Sequence, residues 1–265
     1  MIKPQADQLY KDNTPLLLCC YDIESTGLST QYDDIIQFAV HYLQYQSGET
    51  ICLHTYNTFV HTTKSIPNIV TQLTKITQSD VESAPTIEKT LMTVQSQVND
   101  LLEKFELKHI VWVAHNGNQF DHKMLQRVCQ QHEKSTLLQE SESKTIWFAD
   151  TLHMSRSILS ACPLAPENHK LGTLYAWCLK QNNTTETTHA LSFHNADDDV
   201  LAMRKVMETM LQHQADGLHQ TMVLQQDLHM KRQSHHKQSK DKALHTKISP
   251  HTHAIVQQLL SFRDD

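Results

Sequence analysis

The sequence predicts an α/β protein in which helices cover both faces of a mixed β-sheet. Three strand-like segments come first, joined by short loops as in an antiparallel meander. Helical and strand-like periodicities then alternate, which is typical of a three-layer sandwich. The apolar periodicity fades near residue 211. We therefore expect an N-terminal extension at 1–14, one packed domain at 15–211 and a tail at 212–265.

Five apolar segments predict the strands of the sheet. The first is an uninterrupted apolar run, as expected of a strand buried on both faces. The turn-forming pair Ser47-Gly48 separates the second from the third. The predicted strands are residues 16–21, 35–45, 51–60, 109–114 and 145–149.

Apolar residues that recur every three or four positions predict the helices. The clearest stripe follows Pro85 and consists of Ile87, Leu91, Val94, Val98 and Leu101. Further helices are predicted at residues 118–132, 151–159 and 171–179, and a last one along Val200, Met203, Met207 and Met210.

The charge of the chain is unevenly distributed. Residues 1–210 carry 16 Lys and Arg against 24 Asp and Glu, a net charge of −8. Residues 211–265 carry 7 against 5, a net charge of +2, together with 8 of the 19 histidines. An acidic body excludes a general nucleic-acid coat protein, which would be basic. Residues 233–251 are polar and predict disorder, and Ile255, Leu259 and Phe262 form either a short partner-docking stripe or a frayed end.

The six cysteines predict reduced, buried thiols in an intracellular protein. They contain no CxxC pair, and the N-terminus has no apolar core of a signal peptide. No segment has the ~20 consecutive apolar residues of a membrane span. We therefore expect an intracellular protein, cytoplasmic or nuclear rather than secreted, with no membrane contact.

Two carboxylates follow the first predicted strand. Asp22 and Glu24 are two positions apart, so their side chains point to the same face. Two close carboxylates repel each other unless they share a proton or bind a cation, and hard oxygen ligands suit Mg²⁺ or Mn²⁺. The alternative is two solvated acids at a strand end.

Two later segments carry comparable groups. The segment HNGNQFD at 115–121 follows the fourth strand and places Asp121 at a helix start, where the macrodipole alone favours an acid. In the segment HNADDD at 194–199, three acids open the last predicted helix, where they could simply cap it. Side chains five positions apart on a helix point about 140° apart, so His194 and Asp199 can meet only if His194 precedes the helix, which then begins near Ala196.

The order and types of these three motifs resemble those of the DEDDh 3′-to-5′ exonucleases of the ribonuclease H-like superfamily. The resemblance covers residues 15–210 and extends to weaker echoes such as the LGTLY segment at 171–175. It is greatest to the branch of the three-prime repair exonucleases and the proofreading subunits of DNA polymerase III. It implies a ribonuclease H-like three-layer sandwich with a mixed five-stranded sheet.

The resemblance also implies roles for the acidic residues. Asp22 would bridge two Mg²⁺ ions per active site, Glu24 and Asp199 would hold the first and Asp121 the second, with Mn²⁺ as a substitute. Asp22 and Glu24 would take part in catalysis in this way, and His194 would take the proton of the attacking water. The choice of Asp199 over Asp197 and Asp198 comes from the family spacing. Asp150 is outside the metal set, so we interpret it as a helix cap or structural acid.

Substrate contacts follow from the same resemblance. It places the segment after Glu24 near the 3′-terminal nucleotide, with Leu28 wedged against the base, and lets His115 and Asn118 meet phosphate or sugar. The last two have an alternative, which is to tie a strand to a helix. Gln37 departs from the family, where many relatives carry an acid. The expected substrate-binding residues are Ser25, Thr26, Gly27, Leu28, His115 and Asn118.

These observations predict a Mg²⁺-dependent exonuclease that acts on DNA 3′ ends, with single strands preferred. RNA or short oligonucleotides are the alternative substrate, because no motif reads the 2′-hydroxyl. A second alternative is a proofreading subunit whose tail docks a polymerase, and a homodimer is left open. A non-catalytic nucleic-acid binder is disfavoured, because the carboxylates would repel phosphate without metal.

Overall fold

A computed structural model describes residues 5–132, 135–142, 144–160, 162, 165–181 and 191–224. Residues 233–251, which the sequence predicts to be disordered, and the predicted apolar stripe of Ile255, Leu259 and Phe262 lie outside the described residues. By its internal contacts the chain divides into Met1–Val223 and Leu224–Asp265, and only Leu224 of the second unit is described. The division into extension, domain and tail predicted above stays a prediction.

The sheet contains the predicted meander and the two further predicted strands. Its strands are β1 Leu16–Ser25, β2 Ile35–Gln46, β3 Glu49–Phe59, β4 His109–Ala114, β5 Thr145–Asp150 and β6 Val223–Leu224. Their spatial order is β3-β2-β1-β4-β5-β6. β1 pairs with β2 and β2 with β3 antiparallel, whereas β1 with β4 and β4 with β5 are parallel.

Among the described residues the sheet has one strand more than the five predicted. β6 contains two residues, too few to show the alternation of a strand in the sequence. The helices are α1 Ala6–Lys11, α2 Asn68–Thr74, α3 Gln78–Glu82, α4 Ile87–Lys104, α5 Asp121–Gln131, α6 Thr151–Leu159, α7 Leu171–Gln181, α8 Ala196–His213 and α9 Gly217–Thr221. The short helices α1, α2, α3 and α9 were not predicted, because none exceeds two turns and an apolar stripe needs more.

The helices cover both faces of the sheet, which confirms the sandwich. His41 and Tyr42 are neighbours on β2 and so point to opposite faces. The His41 ring contacts Asp197 on α8, while the Tyr42 hydroxyl donates to Gln97 on α4. α8 therefore covers one face of the meander and α4 the other. The α8 face is also that of Glu24, because Glu24 pairs with Gln37 and Gln37 is an even number of positions from His41.

The apolar core is formed by the buried side chains of the sheet and of the helices that pack on it. Every residue of β1 from Leu16 to Tyr21 is fully buried, which confirms the strand buried on both faces. The carboxyl ends of the parallel strands β1, β4 and β5 meet at one edge, and the three motifs follow that edge or the helix beside it. This is where open α/β sheets bind ligands.

Candidate active site

The site begins where β1 ends. Asp22 and Glu24 are both on the face of β1 that α8 covers, as their spacing predicts. The Glu24 side chain is 3% exposed, and Asp22 is half-buried. A buried carboxylate is stable in its charged form only with compensating partners. The end of β1 therefore supplies acids that favour a cation.

His194 lies in the loop before α8, as the helical geometry predicts. α8 begins at Ala196, and Asn195 caps it by accepting from the backbone N–H groups of Asp197 and Asp198. His194 has a φ of 70°, in the left-handed region. Its backbone N–H donates to Asp199 Oδ2 at 3.1 Å. This bond joins the loop to the first turn of the helix and holds His194 beside Asp199.

The three acids in the first turn of α8, Asp197, Asp198 and Asp199, point to different partners. Asp197 Oδ1 lies 3.0 Å from His41 Nε2, and Asp198 Oδ2 accepts from the backbone N–H of Ser192 at 2.9 Å. Asp199 instead turns toward Glu24 and His194. One ligand atom from each of these three residues lies within 4.8 Å of the other two. The geometry thus distinguishes Asp199 from its neighbours, a choice that rested on family spacing in the sequence.

Asp22 and Asp121 approach the site from β1 and from the start of α5. They are not members of the 4.8 Å group, which among the described residues comprises Glu24, His194 and Asp199. The Tyr21 side chain is on the opposite face of β1 from Glu24, and its hydroxyl bonds to His122, the neighbour of Asp121, at 2.8 Å. Burial raises the pKa of Tyr21 far above its usual value, and the charges of Asp121 and Asp22 raise it further. Asp121 is 3% exposed. The structure thus brings two of the four predicted carboxylates together, and the convergence of Asp22 and Asp121 with them stays a prediction.

Asp150 shapes the loop between β4 and α5. Its carboxylate accepts from the backbone N–H groups of Asn116 at 2.9 Å, Asn118 at 3.0 Å and Leu152 at 3.0 Å. It therefore caps α6 and braces the loop, which confirms it as a structural acid. A Cβ at Gly117 would lie 2.7 Å from Ala114 Cβ, so only glycine fits this turn.

His115 is held from both sides by the protein. Its Nε2 donates to the carbonyl of His169 at 3.1 Å, so Nδ1 accepts from the Thr151 hydroxyl at 2.9 Å. Burial lowers its pKa to about 4. Both ring nitrogens are in use, which favours the structural alternative of tying strand to helix. For Asn118, the backbone N–H to Asp150 is a structural bond of the same kind. Phosphate or sugar contacts by these two residues stay a prediction.

The segment after Glu24 forms a compact turn. The Ser25 hydroxyl donates to the carbonyl of Gly27 at 2.6 Å, and Thr26 N–H donates to the carbonyl of Asp34 at 2.9 Å. A Cβ at Gly27 would lie 2.6 Å from Asp33 Oδ2. Glycine is therefore required here by the close contact with the Asp33 side chain of the same loop. Leu28 is 39% exposed, as a residue expected to contact a base should be. A nucleic-acid contact by this segment stays a prediction.

The sequence did not indicate the residues that brace this turn. Lys64 and Arg127 reach it from distant parts of the chain, and no local pattern marks them. Gln37 was noted only as a departure from the family. In the structure it is 2% exposed and bridges the sheet to α8, since its Oε1 accepts from the Ala196 N–H at 3.2 Å and its Nε2 donates to Asn57 Oδ1 at 3.0 Å.

Comparison with protein families agrees with the fold and with the convergence of Glu24 and Asp199. The exonuclease family model RNase_T matches residues 19–207. The chain belongs to this exonuclease family. The match spans all three motifs and the sheet from β1 to β5, and it confirms the exonuclease resemblance inferred from the motifs.

Curated relatives come from bacterial polymerases. The chain is 32% identical over 118 residues to DNA polymerase III PolC-type of Mycoplasma genitalium, and 33% identical over 116 residues to that of Staphylococcus aureus. These alignments cover 43% and 44% of this chain but 7% of either polymerase. The chain is therefore similar to one small segment of these proteins.

Solved structures with a similar fold include exonuclease I proteins. A structure of exonuclease I has a TM-score of 0.58 at 15% identity, covering 77% of this chain and 42% of that one. Exonuclease I of Methylocaldum szegediense has a TM-score of 0.58 at 16% identity over 77% and 42%. A zinc-bound complex of Escherichia coli exonuclease I with single-stranded DNA has a TM-score of 0.55 at 14% identity over 77% and 41%. At these identities the likeness establishes the fold. Within the described ranges no helix is long and apolar enough to cross a membrane.

Proposed function

We propose that the chain is a divalent-metal-dependent 3′-to-5′ exonuclease that releases nucleoside 5′-monophosphates, mainly from single-stranded DNA. One observation carries the proposal. Ligand atoms of Glu24, His194 and Asp199 lie within 4.8 Å of one another at the edge of the sheet, in a chain that belongs to an exonuclease family. The exonuclease I of similar fold that was solved with single-stranded DNA supports the substrate class.

The donor set fits a divalent cation. Glu24 and Asp199 are 3% and 9% exposed, so a cation would compensate their buried charge. Carboxylate oxygens suit Mg²⁺ and Mn²⁺, and the added imidazole of His194 also admits Zn²⁺. In our proposal Asp22 and Asp121 complete the set for two ions. Bound there, the ions would lower the pKa of water and neutralise developing charge on the phosphate oxygens.

The side chains of the protein position the substrate and move the protons. Attack of a water oxygen on the last phosphodiester forms a P–O bond and breaks the bond to the 3′-oxygen of the preceding nucleotide, which takes up a proton. His194 accepts the proton that the water gives up. Its backbone N–H bonds to Asp199, which keeps the residue beside the acids of the site. The products are a nucleoside 5′-monophosphate and a strand with a new 3′-hydroxyl.

A degradation assay tests this proposal. Single-stranded DNA, double-stranded DNA and RNA of one sequence, each 5′-labelled, are incubated with the purified chain, with and without Mg²⁺. We expect stepwise shortening of single-stranded DNA, and protection by a phosphorothioate at the 3′-terminal linkage but not at the 5′-terminal one. Faster digestion of RNA would establish the alternative substrate. If only the phosphorothioate at the 5′-terminal linkage protected the strand, the proposed 3′-to-5′ direction of digestion would be refuted.

The metal ligands are tested by substitution. Asp22→Ala should lower turnover by about 1,000-fold or more, since metal coordination contributes several kcal/mol to the barrier. Glu103→Ala, at an exposed position on α4, is the matched control and should keep wild-type turnover. Digestion that persists in Asp22→Ala, or after chelation of the metal, would overturn the mechanism. Calorimetric titration with Mn²⁺ and Zn²⁺ would identify the preferred ion.

A second candidate function is polymerase-associated proofreading. The similarity to PolC-type polymerases favours it, because proofreading needs this activity beside a polymerase. Truncation tests docking through the tail, and the cut belongs after Leu224, because α9 at Gly217–Thr221 packs against α6 and β5. A chain without 225–265 that keeps nuclease activity and loses a polymerase partner would support docking. Retention of the partner would refute it, and the homodimer remains a prediction to be checked by the mass in solution.

A further inference from the structure

The loop between β1 and β2, residues 26–34, carries an unusually exposed aromatic ring. Tyr32 is 74% exposed, the highest value among the large apolar side chains of the described residues. Exposure of a large ring to water has no benefit for folding. A single exposed apolar residue is common on surfaces, so the argument depends on how the structure presents this one.

Two cations hold the backbone on both sides of Tyr32. The Arg127 guanidinium, from α5, donates to the carbonyls of Gln31, at 2.8 Å, and of Asp33. The Lys64 ammonium donates to the carbonyl of Tyr32 itself and to Asp34 Oδ1 at 2.8 Å. Three consecutive carbonyls are thus bound by charged donors, whose hydrogen bonds are stronger than neutral ones. The backbone is fixed while the ring remains in solvent.

The base of the loop joins this ring to the active site. Asp33 accepts from the Ser29 N–H at 2.7 Å and from the Thr26 hydroxyl at 3.2 Å, and Thr26 pairs with Asp34 by its backbone. Thr26 is two residues from Glu24. The loop is therefore a rigid extension of the strand end that carries the candidate metal ligands.

The charges of the loop permit a polyanion to approach. Lys64 and Arg127 offset Asp33 and Asp34, so the loop is close to neutral in a chain of net charge −6. A pre-ordered loop loses little entropy on binding. An aromatic ring stacks on any base, because every base has a π-face.

We propose that Tyr32 stacks on a nucleobase of the bound strand, upstream of the terminal nucleotide. The proposal rests on the proposed function and extends it with a second subsite for single-stranded nucleic acid. The ligand is an unpaired base, since a paired base has its faces covered by neighbouring pairs. Leu28 and Tyr32 are both exposed on this loop, so in our proposal Leu28 takes the terminal base and Tyr32 a nucleotide further along.

A length series of oligonucleotides tests the subsite. Steady-state constants are measured with single-stranded DNA of two to ten nucleotides for the wild type, Tyr32→Ala and Tyr32→Phe. For the decamer, Tyr32→Ala should raise KM about tenfold with little change in kcat, within the range of base–aromatic stacking. The increase should shrink as the strand shortens. Tyr32→Phe keeps the ring and should restore the wild-type KM.

Controls separate the possible failures. Met92→Ala, at a 51% exposed position on α4, should leave KM unchanged at every length. Fluorescence of 2-aminopurine, placed at successive positions of the decamer, should be quenched at one internal position in the wild type and recover there in Tyr32→Ala. If the wild type digests the strand and Tyr32→Ala has the same KM, this proposal is overturned and the proposed function is not. An equal effect at all lengths, or no rescue by Tyr32→Phe, also overturns it. No digestion by the wild type overturns the proposed function and this subsite together.

Discussion

Replacement of Gln37 by leucine should destabilise the junction of β2 with α8. Gln37 is opposite Glu24 in the β1–β2 register, and its Oε1 accepts from the backbone N–H of Ala196, the first residue of α8. Ala196 is fully buried, so leucine would leave its N–H without this acceptor and out of reach of water. Asp199 is three residues further along the same helix turn. A shift of Ala196 would therefore separate Asp199 from Glu24.

The loss of one buried acceptor sets the magnitude. An unsatisfied buried donor costs about 1–3 kcal/mol, and we expect Gln37→Leu to lose that much free energy of unfolding. Urea denaturation followed by circular dichroism measures it. Calorimetry should also show weaker Mn²⁺ binding. Gln37→Glu restores an acceptor at a helix N-terminus, where a negative charge is favourable, and should recover part of the stability, reduced by the repulsion between the new carboxylate and Glu24 opposite it.

Gln46→Leu is the matched control. Gln46 is on the same strand but exposed, and its amide makes one bond to the Asn13 carbonyl at 3.1 Å. Because water can replace that bond, the change should stay within about 0.5 kcal/mol. Equal losses in Gln37→Leu and Gln46→Leu would refute the reasoning, as would a Gln37→Leu protein as stable as the wild type.

Two further predictions concern buried polar groups beside the site. Asp150→Asn should cost about 2–4 kcal/mol by urea denaturation, because an amide nitrogen in place of Oδ2 cannot accept from the Asn118 N–H, and the bonds to Oδ1 lose the carboxylate charge; a loss under 1 kcal/mol would contradict its role in bracing the loop. His122 donates from Nε2 to the Ala149 carbonyl at 3.0 Å and accepts at Nδ1 from Tyr21, and burial lowers its pKa to about 4. Since the unfolded value is about 6.5, its contribution to stability is complete above pH 6.5 and is lost as the pH falls toward 4, by about 1.4 kcal/mol per pH unit. In His122→Phe the slope of unfolding free energy against pH should be smaller by that amount, and an unchanged slope would show that His122 does not titrate in this way.

The long elements of the fold could be predicted because their signals are local. The apolar run at the start of β1 and the stripe along α4 each fall within one segment, and each segment forms the predicted element. The short helices and β6 could not be predicted, because one or two turns, or two residues, show no period. For α9 the stabilising contacts come from α6 and β5, and such contacts are a property of the assembled fold.

The candidate site was predictable to the level of residue types and motif order. Placement of His194 before α8 followed from helical geometry and is confirmed. The role of Asp150 as a cap is confirmed as well. Of the six thiols expected to be buried, Cys19, Cys20 and Cys178 are buried, whereas Cys52, on the edge strand β3, is exposed. Selection among the acids of α8 did not follow from geometry in the sequence, because all three occupy one helix turn. Contacts from His41 and Ser192, which are remote or outside the helix, remove Asp197 and Asp198 from the choice.

The sequence by itself determined the sandwich, the strand end that carries two carboxylates, and the family to which these motifs belong. Those properties depend on periodicity and on short spacings, which a linear chain displays directly. Only the tertiary structure decided which acid meets Glu24, that Gln37 joins β2 to α8, and that Lys64 and Arg127 brace the loop of Tyr32. These contacts join residues tens of positions or more apart, and such pairs become neighbours only when the strands and helices have packed.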